Sequence, residues 1–128
     1  MAEFSDYLEQ KIIDHFLRNV TCTPATQIFV SLYTDTPGDD DSGTESTGDG
    51  YARVQATLTT GTGGTSSNSA AIEFATATGS WDTISHCGLH DAITAGNLLM
   101  FSTLDASKTV ASGDQFKIAI GDLDVTVT

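Results

Sequence analysis

Six carboxylates crowd one stretch of this chain: Asp35, Asp39, Asp40, Asp41, Glu45 and Asp49 all fall within segment 34–50, TDTPGDDDSGTESTGDG. Carboxylates at that density are the raw material of a calcium site, which needs several oxygens converging at about 2.3–2.6 Å. An EF-hand loop sets acids at its first, third and fifth positions, glycine at the sixth and glutamate at the twelfth. Counting from Asp39 puts Asp41 third, but Gly43 then falls fifth and Thr44 sixth. The spacing fails, and a solvated acidic loop is expected.

His86, Cys87 and His90 are the next grouping with metal-binding chemistry. On a strand the two imidazoles share one face and the thiol takes the other. They stand about 13 Å apart along that strand, so one ion cannot join both without a bend. A zinc site would also need His15 or Cys22 as a further ligand. Ordinary strand positions are expected instead. No serine sits in a GxSxG elbow, although a Ser–His–Asp triad is defined by geometry and leaves no fixed spacing. Glu3, Glu9, Glu45 and Glu73 are scattered over a helix, a loop and a strand face, which shows no glycosidase pair. No glycine-rich loop opens a helix to cradle phosphate. Trp81 offers a ring for sugar stacking, but a tryptophan leading into a strand is expected to anchor a core. Cys22 and Cys87 could pair only with Cα atoms within about 7 Å, and two free thiols are expected. No catalytic, cofactor-binding or metal-ligating residue is therefore assigned, and the chain is expected not to be an enzyme.

The elements that must carry these residues are one helix and a series of strands. In EFSDYLEQKIIDHFLRN the apolar residues Phe4, Tyr7, Leu8, Ile12, Phe16 and Leu17 recur at helical spacing, with Ile13 beside them. Ser5 or Asp6 can cap the start, Glu9 stands three after Asp6 as in a capping box, and Asn19 suits the exit. The apolar stripe either covers one end of a β core or packs on a neighbouring subunit. After Ala25, seven stretches read as strands: 27–33, 51–59, 70–74, 83–90, 98–104, 115–120 and 123–127. The first, QIFVSLY, is dense enough to be a central strand covered on both faces. In YARVQATLT, Ala52, Val54, Ala56 and Leu58 are expected inward and Tyr51, Arg53 and Gln55 outward. Ile72 and Phe74 point inward by the same rule and Glu73 outward. Segment 60–69, TGTGGTSSNS, reads as a flexible loop. The expected fold is mainly β: a single antiparallel, jelly-roll-like β-sandwich with one N-terminal amphipathic helix. It occupies 1–128 as one domain, with the helix at 4–19 and the sandwich at 26–128.

A chain of 128 residues with Lys+Arg 5 against Asp+Glu 17 carries a net charge of −12. Such a surface repels nucleic-acid phosphates and anionic lipids, so neither nucleic acid nor membrane is expected as a partner. The charged residues at 3–19 exclude a secretory signal, and no apolar run reaches the roughly 20 residues of a membrane span.

The order of motifs resembles a known family. YLEQKIIDHFLRN is followed by PATQIFVSLYTDTPGDD, by GDGYARV, by SNSAAIEFATATGSWDTISHCGLHDAITAGNLLMFSTL, and by KTVASGDQFKIAIGDLDVTV. The pieces that carry the likeness are Leu32 and Tyr33 before the Thr/Asp/Pro/Gly loop, Gly50 to Arg53, Ser67 and Asn68, Ala75 to Trp81, and Gly113, Asp114 and Phe116. Together they resemble small tailed-bacteriophage proteins labelled "phage tail fiber protein", some of which look like capsid decoration proteins. Cys87 and His90 depart from the pattern, where apolar residues are usual, and the acidic loop is richer in Asp. The resemblance implies a virion structural protein with a β-sandwich domain and a symmetric homo-oligomer, expected as a trimer. It implies no catalytic residues. A compact domain without fibrous repeats is expected to be a decoration or cement protein on the outer shell, partnered by the major capsid protein. The alternative is a tail-fibre or tail-tip component for host attachment. Either way the protein is expected on the particle surface, made in the host cytoplasm and not secreted.

Overall fold

The computed structural model describes residues 2–127. Among them the chain forms β1 (Glu3–Phe4), α1 (Asp6–Leu17), β2 (Ile28–Tyr33), β3 (Val54–Ala56), β4 (Thr65–Ser67), β5 (Ile72–Glu73), β6 (Asp82–His90), β7 (Leu98–Val110), β8 (Lys117–Ile118) and β9 (Asp124–Thr126). The main sheet has five antiparallel strands in the order β1-β7-β6-β2-β3. Two small antiparallel pairs, β4-β9 and β5-β8, complete a sandwich-like, mainly β fold with an N-terminal helix.

The pleat sends alternate side chains of the sheet to opposite faces. On one face Val30, Leu32, Ala56, Ile84, Cys87, Leu89 and Met100 form the apolar core with Ile72, Phe74, Ala77, Trp81, Phe116 and Val125. Phe74 is its hub. Its ring lies 5.6 Å from Phe116, 6.2 Å from Tyr51 and 6.3 Å from Trp81, mostly edge to face. Burying each such ring contributes about 2–3 kcal/mol before packing terms. Trp81 is 1% exposed and its indole N–H donates to Asp49 O at 2.8 Å, so it anchors the core and no sugar can reach it. As the dense run at 27–33 predicts, Phe29 to Tyr33 are buried on both faces.

Several expectations shift. The helix begins at Asp6, because Phe4 continues a β ladder opposite Met100 and Ser5 remains extended at ψ 158°. Ser5 is the N-cap and accepts from Leu8 N–H at 3.2 Å, which puts Leu8, not Glu9, at the capping-box position. Asn19, at φ 58°, turns the chain out of the helix. The apolar stripe divides: Leu8 and Ile12 are half-buried, whereas Phe16 and Leu17 are 74% and 78% exposed. Segment 60–69 is not a loose loop. Gly63 and Gly64, at φ 61° and 78°, fill the two central positions of a tight turn bridged by Thr62 and Thr65. Positive φ at both positions marks the hairpin turn for which a Gly-Gly pair is suited. The segment then pairs as β4 with β9.

Candidate functional site

The second face of the main sheet carries Ser31, Tyr33 and His90, and the acidic segment 34–50 folds over it. Tyr33 donates its hydroxyl to Asp41 Oδ1 at 2.6 Å, and Glu45 bridges back to Tyr33 as a strand would. The loop is shaped by its own acids and turns. Thr44 N–H donates to Asp35 Oδ1 at 2.6 Å, Ser42 N–H to Asp40 Oδ1 at 3.2 Å and Gly43 N–H to Pro37 O at 3.0 Å. Gly43 is required there, since a Cβ would stand 2.3 Å from Thr36 O. Asp6 N–H at the start of α1 donates to Asp39 O at 2.9 Å, which ties the loop to the helix.

At the centre of this layer Arg53 makes a bidentate pair with Glu45, Nε to Oε1 at 2.8 Å and Nη2 to Oε2 at 2.7 Å. Its Nη1 donates to Ala92 O at 2.9 Å and Ala95 O at 2.7 Å, so one guanidinium joins the acidic loop to the β6–β7 connection. Tyr51 adds a hydroxyl bond to Glu45 Oε1 at 2.7 Å and accepts Leu32 N–H at 3.0 Å. Burial alone would raise the Glu45 carboxyl. The Arg53 and Tyr51 hydrogen bonds and the Arg53 charge outweigh it and hold Glu45 below its ordinary range.

Arg53 is only 8% exposed and Ala52 is exposed, which corrects the outward placement of Tyr51 and Arg53. The alternation itself holds around Val54, Gln55 and Ala56. What differs is that the sheet's second face is roofed by the acidic loop, and a charge pointing there is buried with a partner. Tyr51, ahead of the short β3, turns its ring into the core beside Phe74 and Trp81.

His90 lies beneath the same roof with 0% exposure. Its Nδ1 is 2.8 Å from Ser31 Oγ; its Nε2 is 3.3 Å from the Tyr33 hydroxyl and 3.5 Å from Asp41 Oδ2. Because Tyr33 donates to Asp41, the Tyr33 oxygen accepts from Nε2–H, and Nδ1 then accepts from Ser31. Burial, helped by the Arg53 charge, lowers the imidazole pKa against the pull of Asp41 and Glu45. Ser31, His90 and Asp41 thus have the composition of a catalytic triad, a grouping the sequence could not reveal. Ser31 is also 0% exposed, in mid-strand, so this hydroxyl is presented to no substrate. The arrangement works as a polar clasp.

The histidines and cysteines singled out by spacing do not converge. Cys87 points into the apolar core, where burial pushes its thiol up to about 11. His86 bonds Ser85 Oγ at 2.7 Å, and His15 Nδ1 accepts Cys22 N–H at 3.3 Å. Cys22 and Cys87 are both free thiols. Among the described residues no group of three or more His, Cys, Asp or Glu side chains is placed to hold a metal ion. A depression of about 470 Å³ lies between the start of α1, Asp39 to Asp41 and Gly96 to Leu98. Sequence reasoning missed the Arg53–Glu45 pair and the His90 cluster. The available signals were an arginine in a strand of an acid-rich chain and a histidine directly after Leu89 at the end of another strand.

Residues 3–126 match the family model described as "Podophage GP4 fiber I protein gp80". No curated protein matches the chain.

Proposed function

The chain belongs to the podophage GP4 fiber I protein gp80 family, and on that premise we propose that it is a non-catalytic subunit of the virion's fibre apparatus. Membership makes it a bacteriophage virion structural protein. The observation that carries the finer reading is the extent of the match, which takes in α1, the main sheet and both small sheets. The geometry supports the non-catalytic part. The polar groups of the second face are used up in holding the acidic loop, and Ser31 and His90 are sealed from solvent.

The proposed partners are other virion proteins and further copies of the chain, in a trimeric assembly. The net charge of −12 argues against nucleic acid and anionic membranes as partners. Among the described residues no helix is long and apolar enough to cross a membrane.

A capsid decoration role, with the major capsid protein as partner, is the second reading. It is favoured by the compact sandwich, which lacks the extended repeats of a fibre shaft. Quantitative mass spectrometry of purified particles separates the two. A small copy number in multiples of three, relative to the major capsid protein, supports the fibre. A count near a simple fraction of the capsid protein would move the protein to the shell.

A further inference from the structure

Segment 34–50 is fastened at two places by different chemistry. Its base is closed by backbone: Thr34 N–H donates to Thr44 O at 3.0 Å and Ser46 N–H to Leu32 O at 2.8 Å, with Glu45 locked between them by Arg53. Its tip is the turn from Gly38 to Asp41, closed by Asp41 N–H on Gly38 O at 3.3 Å. Two residues tie this tip to the rest of the fold. Asp39 O accepts Asp6 N–H at 2.9 Å, and the Asp41 carboxylate takes the Tyr33 hydroxyl at 2.6 Å. Asp39, Asp40 and Asp41 are exposed, whereas Pro37 just ahead of them is fully buried and marks the hinge. A turn with so little buried apolar surface opens at a lower cost than the sheet beneath it.

His90 lies under the tip, and its side chain is of the kind that changes charge between about pH 5 and 8. The ionisable groups around it are Tyr33 from β2, Asp41 and Glu45 from the loop, Arg53 from the stretch ahead of β3, and Asp91 next in the chain. With the tip closed, a neutral imidazole is satisfied at both nitrogens. A proton added at Nδ1 turns an acceptor into a donor facing Ser31 Oγ at 2.8 Å, and that hydroxyl makes no other hydrogen bond among the described residues. The new charge would be sealed at 0% exposure near Arg53, itself buried. Asp41 and Glu45 pull the other way, but Asp41 stands 3.5 Å off with one oxygen given to Tyr33. Burial first, and then the Arg53 charge, hold the imidazole pKa down. The proton therefore binds more readily once the tip has lifted and water reaches the ring.

We propose that the Gly38–Asp41 turn is an acid-released flap: protonation of His90 lifts it off Tyr33 and the start of α1, while the base of the loop, the Arg53–Glu45 pair and the sheet stay in place. Asp39 to Asp41 wall one side of the depression of about 470 Å³ beside α1, so release of the flap opens that depression. The opening is local, leaves the core folded, and holds or fails independently of the assignment to fibre or shell.

The test is amide hydrogen exchange, read by NMR on the full chain at about pH 7.5 and about pH 5.5, one unit either side of an ordinary imidazole. Each rate is divided by the intrinsic rate at its own pH. Opening linked to one proton grows by up to about ten-fold over that interval. Protection of the Asp6 and Asp41 amides should fall by up to that factor, while the Ser46 and Phe74 amides, bonded in the loop base and the core, keep theirs. His90→Gln, which cannot charge, should abolish the fall. Unchanged protection at Asp6 and Asp41 overturns the proposal, and so does a rise, which would mean that a His90–Asp41 ion pair tightens the turn. A fall shared by Ser46 and Phe74 overturns it as well, because the opening is then global. Should His90→Gln not fold, the imidazole resonances of the unmodified chain make the assignment: the fall should level off as His90 becomes charged, and a fall that instead follows His15 or His86 sinks it.

Discussion

Arg53 and Glu45 face one another through two parallel hydrogen bonds of 2.8 and 2.7 Å beneath the acidic loop, and the same guanidinium caps two carbonyls of the β6–β7 connection. Removing one partner of a buried pair strands the other charge, at a typical cost of about 3–5 kcal/mol. The Glu45 side chain keeps 24% exposure, which puts the effect here at the lower end, about 3 kcal/mol. Arg53→Ala is expected to lower the melting temperature markedly and to open segment 34–50 to proteases. Arg53→Lys should recover only part of the loss, because an ammonium cannot make the fork. An Arg53→Ala protein that melts with the parent would sink this account of the loop.

Acid should act on the same layer in two stages. Folded His90 holds its proton more weakly than an ordinary imidazole of 6.5. Below that pH the unfolded chain therefore binds more protons, and acid favours unfolding. The stability is fully present above about pH 6.5 and declines as pH falls through the depressed folded value. Glu45, also depressed, adds a second decline below its ordinary 4.5. Denaturant unfolding across pH, with His90→Gln as the comparison, checks this. Gln bonds Ser31 without titrating, so the first decline should flatten while the second persists; an unchanged first decline in the variant would assign it elsewhere.

Ser5 holds the helix at both of its polar ends. Its hydroxyl accepts from Leu8 N–H and donates to Leu98 O at 2.5 Å, and its N–H donates to Leu99 O at 2.9 Å. Ser5→Ala is expected to cost about 1–2 kcal/mol, the sum of a lost cap and an orphaned buried carbonyl. Ser5→Thr should restore much of it. Chemical denaturation of the two variants gives the comparison, and a neutral Ser5→Ala would mean that the cap is dispensable.

The two faces of α1 should respond oppositely to substitution. Leu8, half-buried against the core, is expected to cost about 1–2 kcal/mol on change to Ala, less than a fully buried leucine. Phe16→Asp, at a site 74% exposed, should alter the stability of the isolated subunit by no more than about 0.5 kcal/mol. Equal losses at both sites would mean that the helix sits on the sheet by a different face.

The two thiols should also separate cleanly. Cys87 is buried in the core with its pKa pushed up to about 11, whereas Cys22 is only half-buried. A thiol reagent at neutral pH should titrate one cysteine per chain in the native protein and both in denaturant. Two fast-reacting thiols in the native state would show that Cys87 is open to solvent.

The strand pattern was readable wherever burial is one-sided or complete. QIFVSLY announced a strand covered on both faces, and Ile72, Glu73 and Phe74 alternated as expected, with Glu73 opposite Lys117. Legibility failed where contacts come from far along the chain. Nothing in YARV shows that a loop several residues upstream roofs the sheet and supplies Glu45, so Arg53 read as solvent-facing. Phe4 fitted the helical period, but three residues of extended chain were decided by a ladder to β7. The Gly63–Gly64 turn was the opposite case: its local signal was present in the sequence, and the glycine-rich, uncharged surroundings masked it. The polar clasp could not be located, because Ser31, Asp41 and His90 meet only after β2 and β6 pair.

The two ends of the described chain finish side by side. Ala2 and Thr126 line one depression with Glu3, Phe4, Glu9 and Asp39, and each end is held by a short strand in a different sheet. A polypeptide that enters and leaves a fold at neighbouring points forms a bulb on the path of any chain to which it is joined, not a link along it. Tension applied through such ends would peel β1 and β9 away pair by pair without shearing the long β6–β7 ladder. The same adjacency means that a short bridge could join the ends and new termini be opened in a surface loop, leaving the core undisturbed.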